Sequence, residues 1–295
     1  MEEHDAGPRS ESTTKDEERA DREGLPVGPV GQRSTMQCLN IRGLALVSNR
    51  VKVQTLEDSL ELENSIGIFL TETWLNDSVL DAEIQMEKYD IHRSDRSSRT
   101  RGGVAMYVRK ELQCKKVFSY SNSVVETMIV KCKKLKSLLI CVYRPPSTSN
   151  SDLSEALEAL DEAIVMSQAN GDYDTIVMGG DFNFPSIIWE NNLPKISLNL
   201  NHQEDEVVNL LYKYSLMNYV NKQTRKENIL DLILTNDPEL IGNCRVNINS
   251  KYSDRNSVIC DVNVGVTTSV SENKIMNYMT TVPNFNWING SIEQW

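Results

Sequence analysis

Histidine is scarce, with three in 295 residues, at positions 4, 92 and 202. Chemistry that depends on an imidazole therefore has few residues to draw on. No run of eighteen or more apolar residues occurs, so the sequence offers no candidate membrane-spanning helix. The opening MEEHDAGPRSE has no apolar segment of the kind a secretory signal needs. Six cysteines stand at 38, 114, 132, 141, 244 and 260, and no pair has the Cys-x-x-Cys spacing of a zinc or dithiol motif. Several lie inside apolar runs, so the expectation is buried free thiols in a reducing compartment. A surplus of positive charge is also missing. The net charge is −11, which argues against a protein that coats nucleic acid indiscriminately. Nine acids against five bases in residues 1–34 carry −4 of it.

What is present is ordinary globular composition, 39% hydrophobic and 25% charged, in a chain long enough to bury a sizeable core. Residues 1–34 are polar and punctuated by Gly and Pro, and read as a disordered acidic tail. From residue 35 the pattern turns to short apolar runs between amphipathic segments. MQCLNI (36–41), IGIFLT (66–71), GVAMYV (103–108), VETMIVKC (125–132), SLLICVY (137–143), TIVMGG (175–180), ILDLILT (229–235), CRVNI (244–248) and SVICDVNV (257–264) predict strands. Residues 49–64, 152–168 and 205–216 predict helices, the second with Leu153, Leu157, Leu160 and Ile164 on one face. Many short strands with few helices predict an α/β sandwich of sheets covered by helices, as one domain over residues 35–266. Residues 267–295 read as a linker.

Polar residues recur at the ends of the apolar runs. They are Asn40, Glu72, Tyr143, Asp181 with Asn183, Asp231 and Asp254. Rigid strands aim such residues while loops leave room for a substrate. A set of amide and carboxylate oxygens suits Mg²⁺ better than zinc. Taken singly, each motif reads equally well as a turn, a cap or a strand end. Their order and spacing together are far more specific.

The motifs LNIRGL (39–44), TETWL (71–75), RGGVAMYVRKEL (101–112), VYRPP (142–146), GGDFNFPSIIWE (179–190), LDLILTN (230–236) and SDRNSV (253–258) carry a resemblance. Over residues 36–265 the chain resembles the endonuclease domain of non-LTR retrotransposons. That domain belongs to the endonuclease/exonuclease/phosphatase superfamily, which includes deoxyribonuclease I. The resemblance implies a four-layered α/β sandwich with two packed mixed sheets flanked by helices. It implies a Mg²⁺- or Mn²⁺-dependent endonuclease, monomeric and with access to the nucleus, that hydrolyses double-stranded DNA to 3′-hydroxyl and 5′-phosphate ends. Glu72, Asn40 and Asp254 match the metal site, and Asp181 the residue that orients the attacking water. Asn183 and Tyr143 match phosphate contacts, and Asp231 the residue that orients a catalytic histidine. The C-terminal NFNWINGSIEQW is similar to the lead-in to a reverse transcriptase, which does not follow here.

The chain departs from the family at Arg255, where the pattern expects histidine. Arginine stays protonated and cannot accept a proton from water, but it can donate hydrogen bonds to a phosphoryl oxygen. Impaired activity is the expectation, with an Asp231–Arg255 ion pair in place of the usual partnership. DNA contact is expected from Arg93, Arg96, Arg99 and Arg101, read as one loop over 92–101, with Arg144 nearby; a solvated charged loop is the plain alternative. KCKKLK (131–136) reads as a hairpin turn. Two other functions compete with the nuclease. One is a phosphatase acting on a small phosphoester, and the other is a binding domain that has kept the fold and lost its chemistry.

Overall fold

The computed structural model describes residues 33–44, 50–96, 101–122, 124–146, 150–195, 201–248 and 255–263, with the backbone of two short paired strands at Trp287–Ile288 and Ser291–Ile292. The tail expected over residues 1–34 and the linker over 267–295 lie almost wholly outside the described residues, as do Asp254 and Arg99.

Two six-stranded sheets face each other. The first contains β1 (Ser34–Asn40), β2 (Ser65–Thr71), β3 (Tyr89–Ser94), β4 (Val104–Arg109), β13 (Ile241–Asn247) and β14 (Ser257–Val262) in the order β13-β14-β1-β2-β4-β3. The second contains β5 (Cys114–Ser121), β6 (Glu126–Cys132), β7 (Ser137–Tyr143), β8 (Thr175–Asp181), β11 (Met217–Asn218) and β12 (Asp231–Thr235) in the order β11-β12-β8-β7-β6-β5. Within each sheet one pair runs parallel, β1 with β2 and β7 with β8, and the rest run antiparallel. A short pair, β9 (Trp189–Glu190) with β10 (Leu193–Pro194), stands apart. The expected mixed sheets and flanking helices are both present.

Three apolar layers hold this together. Phe69, Met106, Met128, Leu139, Val177 and Ile233 meet between the sheets. Helix α1 (Arg50–Leu62) lays Val53, Leu56 and Leu60 on the outer face of the first sheet, against Leu39, Ile68 and Leu70. Helix α2 (Asn150–Gln168) and helix α3 (His202–Lys213) cover the outer face of the second with Leu153, Leu160, Ile164, Val207 and Leu211. Strands buried on both faces have no solvent side, so their sequences are continuous apolar runs rather than alternating ones. Asn201 caps α3 by accepting the Glu204 amide at 3.0 Å, and the Glu204 carboxylate accepts the Asn201 amide in return.

Two expectations change. Residues 92–94 are part of β3 rather than a loop, so Arg93 projects from an edge strand. Cys244 and Cys260 are joined as a disulfide rather than free, because antiparallel pairing of β13 with β14 sets them directly opposite, with Cα atoms 4.0 Å apart. Cys38, Cys114, Cys132 and Cys141 are free thiols, and the turn expected at 131–136 joins β6 to β7.

Candidate active site

The register of the second sheet places Glu126, Tyr143, Asp181 and Asp231 in one row across β6, β7, β8 and β12. Residues in register on neighbouring strands share a face at a spacing of about 4.8 Å. In the first sheet Asn40 and Thr71 are in register at the ends of β1 and β2, and Glu72 follows directly. The two sets meet where the sheets face each other. Asn40 Nδ2 donates to Asp181 Oδ2 at 2.9 Å, and Tyr143 Oη donates to Glu72 Oε1. Trp74 Nε1 donates to the other Glu72 oxygen at 2.6 Å.

The backbone fixes these positions past the strand ends. Glu72 has φ +56°, in the left-handed region that costs a non-glycine residue energy. Its carbonyl accepts the Gly43 amide at 2.7 Å, and the Thr73 carbonyl accepts Leu44 at 2.7 Å. In the second sheet Arg144 N donates to Asp181 O at 3.0 Å and Phe182 N to Leu230 O at 2.9 Å. Of the two glycines before Asp181, Gly179 serves close approach between the sheets, and Gly180 lies against the Val142 backbone of the neighbouring strand. A Cβ on Gly179 would sit 2.4 Å from the Phe69 ring.

Burial dominates the electrostatics. It raises Asp181, offset by the Asn40 hydrogen bond and by the charges of Arg255 and Arg225. It also lifts Asp231, fully buried opposite Asp181, to about 8, with the Asp181 charge adding to the rise. The Tyr143 hydroxyl is raised by burial and by its bond to Glu72. Asp181 Oδ1 and both Asp231 carboxylate oxygens are buried without a hydrogen-bond partner among the described residues. Arg255 is buried as well, and its charge favours the ionised form of both carboxylates. The Asp231–Arg255 ion pair expected from sequence is not among the ion pairs of the described residues, and no hydrogen bond joins the two. The two interact through charge.

The expected DNA contacts fare differently. Arg93 is occupied internally, bonding Asp95 at 2.6 and 3.0 Å, Asp81 at 3.0 Å and the carbonyls of Val79 and Asn76 at 2.8 and 2.9 Å. Arg96 is buried in an ion pair with Glu126. Arg144 clamps two loops. It donates to Asn183 O at 2.8 Å and Gln203 Oε1 at 2.6 Å, while Asn183 Nδ2 donates back to Arg144 O at 2.7 Å. Arg93, Arg96 and Arg144, expected as DNA contacts, thus make these bonds within the chain, and Asn183 is held by one of them. Arg101 is exposed, over the Trp74 ring at 5.5 Å. Sequence reasoning missed Trp74, Glu126 and Arg225. The first two stood in motifs already quoted, but nothing local signalled their partners.

Among the described residues no three His, Cys, Asp or Glu side chains cluster as a metal site. The candidate set is of another kind, the Glu72 carboxylate with the Asn40 amide, and Asp254 lies outside the described residues. Each Glu72 oxygen accepts one identified donor and keeps lone-pair capacity, so the donor chemistry fits a hard divalent cation.

Residues 137–259 match the family model described as endonuclease-reverse transcriptase. No curated protein matches. Solved structures do. The endonuclease domain of TRAS1, a telomere-specific non-LTR retrotransposon, aligns at 14% identity over 79% of this chain and 99% of its own, with TM-score 0.53. The 3′ phosphatase NExo from Neisseria, bound to product DNA hairpin, aligns at 16% identity over 78% and 99%, with TM-score 0.56. An AP endonuclease from Leishmania major aligns at 12% identity over 87% and 96%, also with TM-score 0.56. These identities speak to the fold, and the family match lies on the strands that carry Tyr143, Asp181 and Asp231. The chain thus has the fold of these nucleases, and its residues 137–259 are similar to the endonuclease-reverse transcriptase family.

Proposed function

We propose that this protein is a divalent-cation-dependent DNA endonuclease, as in target-site nicking by a non-LTR retrotransposon, working below full rate because Arg255 stands where histidine is expected. The observation that carries this reading is the convergence of Asn40, Glu72, Tyr143, Asp181 and Asp231 from both sheets onto one buried polar seam. Burying so many polar groups costs free energy unless they are paired or used.

Glu72 and Asn40, with Asp254, would hold Mg²⁺, which supplies Lewis-acid polarisation of a phosphoryl oxygen and stabilises the leaving 3′-oxygen. Asp181, with one oxygen held by Asn40 and the other without a partner among the described residues, is placed to orient a water and take its proton. Burial raises its pKa, which makes the carboxylate a stronger base than a free one. Asp231 faces Asp181 across the ladder, so mutual repulsion favours one proton shared between them. Tyr143 orients Glu72 and lines the position of the phosphate. Arg255 contributes a fixed positive charge beside the two carboxylates, where it stabilises developing phosphoryl charge without acting as acid or base. Losing the proton-transfer role costs about 10²–10⁴-fold. DNA is the proposed substrate because TRAS1 is an endonuclease and NExo is described with product DNA hairpin.

The test is nicking of supercoiled plasmid with Mg²⁺ by the parent chain, Arg255→His and Glu72→Ala. Slow nicking by the parent, faster nicking by Arg255→His and none by Glu72→Ala is the expected result. Activity in Arg255→His alone would mark the natural chain as a disabled copy, a reading favoured by the inability of Arg255 to accept a proton. Silence from all three overturns the nuclease reading.

A further inference from the structure

The geometry points to Trp74 and the Arg96–Glu126 pair as positioning residues that fix the direction of the Glu72 carboxylate for its cation, an inference that rests on the reading of Glu72 as a metal ligand given above.

Glu72 lies in an unusual stretch of backbone. Both Glu72 (φ +56°) and Trp74 (φ +54°) occupy the left-handed region, separated by one residue. Such conformations persist where the surroundings over-determine them. Here the segment is bracketed on two sides. The Gly43 and Leu44 amides bond its carbonyls on one side. On the other, Thr73 N donates to Gly103 O at 3.2 Å and Trp74 N to Gly102 O at 2.8 Å.

The Gly102–Gly103 turn depends in turn on the buried charge pair. Glu126 Oε2 accepts the Gly103 amide at 2.5 Å, and Oε1 pairs with Arg96 Nε. Glycine is required at both positions, which have φ +100° and +87°. A Cβ on Gly102 would lie 2.7 Å from Glu126 Oε1 and 2.8 Å from Arg96 Nε, and one on Gly103 would lie 2.4 Å from Thr73 Oγ1. The turn is thus wedged between the ion pair and the segment that carries Glu72.

From here the chain of contacts reaches both carboxylate oxygens. Through the turn and Trp74 it ends at Oε2, where the indole N–H donates at 2.6 Å. Through Arg96, whose guanidinium lies 6.0 Å from the centre of the Tyr143 ring, it ends at Oε1, where Tyr143 donates. A carboxylate with a fixed donor on each oxygen cannot swing, so its remaining lone pairs keep one direction. Burying Arg96 and Glu126 is a poor way to gain stability, because apolar residues of similar volume often do as well. Burial even lifts Glu126 to about 7 despite its cation. Aiming a metal ligand gives this arrangement a purpose, since outer contacts orient and tune first-shell ligands.

The experiment is calorimetric titration of the full chain with Mn²⁺ in the absence of DNA, comparing the parent with Trp74→Phe, Glu126→Gln and Glu72→Ala, each with a melting temperature. Trp74→Phe keeps a ring in place and removes the N–H. It is expected to melt near the parent and bind Mn²⁺ about 10–100-fold more weakly. Glu126→Gln is expected to weaken binding in the same direction, and Glu72→Ala to abolish it. Parent-like binding by a folded Trp74→Phe, alongside loss in Glu72→Ala, overturns the positioning role and leaves the ligand reading intact. Parent-like binding by Glu126→Gln removes the ion pair from the proposal. Binding by Glu72→Ala equal to the parent, or none by the parent, brings down both readings.

Discussion

Asn40 Nδ2 donates to Asp181 Oδ2 at 2.9 Å across 141 residues of sequence, joining the end of a strand in one sheet to the end of a strand in the other. Both side chains are buried. Asn40→Ala leaves Asp181 without this donor in a site that burial already makes unfavourable for charge. The expected loss is about 1–3 kcal/mol, measured by urea denaturation. Nicking is expected to fall further than the stability loss explains.

Asp231 gives the stability curve a pH dependence of definite sign. Its folded pKa of about 8 stands above the ordinary value of 3.8, so its contribution is full below about pH 4 and lost as pH rises through 8. Asp231→Asn removes that dependence. The slope of unfolding free energy against pH between 4 and 8 should become less negative by up to about 1.4 kcal/mol per pH unit. Parallel curves for the two proteins would show that Asp231 titrates normally.

Gly179 and the Phe69 ring leave no room for a methyl group, because the added Cβ would lie 2.4 Å away. Gly179→Ala is expected to cost about 1–3 kcal/mol through overpacking. Phe69→Leu in the same chain should recover part of that loss, and a double-mutant cycle by thermal melting measures the coupling.

The arginines separate by role. Arg93→Ala removes a side chain that bonds Asp95, Asp81 and two carbonyls, so it is expected to lower the melting temperature. Arg101→Ala, at an exposed position, should leave melting unchanged and weaken duplex binding, lowering the slope of log affinity against log salt by about 1. Filter binding over a salt series distinguishes the two.

Cys114 and Cys132 stand opposite each other on β5 and β6. Directly opposite positions on an antiparallel pair bring the two side chains close together. Glutathione disulfide is expected to close a Cys114–Cys132 bridge with release of two glutathione thiols. A non-reducing peptide map shows it, and its absence after prolonged exposure would count against the pairing.

Much of the fold is legible in sequence because strands covered on both faces must be apolar throughout, as in SLLICVY and IGIFLT. Strands β3 and β5 escaped notice for the opposite reason. They lie at sheet edges, where YDIHRS and CKKVFSYS leave most side chains partly or fully in solvent. The placement of the candidate site was readable where it follows from position on the chain, as with Asn40, Glu72, Asp181 and Asp231 at the ends of strands. It was unreadable where the role is a relation between distant segments. Glu126 and Arg96 look like surface charges until the turn at Gly102–Gly103 packs against them, and nothing in the sequence around Arg93 signals its ion pairs with Asp81 and Asp95.

Glu72 and Asn40 belong to one sheet, and Tyr143, Asp181 and Asp231 to the other, so the site is an alignment between two halves rather than a pocket within either. Phe69 packs on Gly179, two residues before Asp181, and sets the spacing of those halves. A misplacement of about 1 Å costs on the order of 10²-fold in rate. A substitution in the apolar layer between the sheets can therefore pull the proposed site apart while every polar residue stays in the sequence.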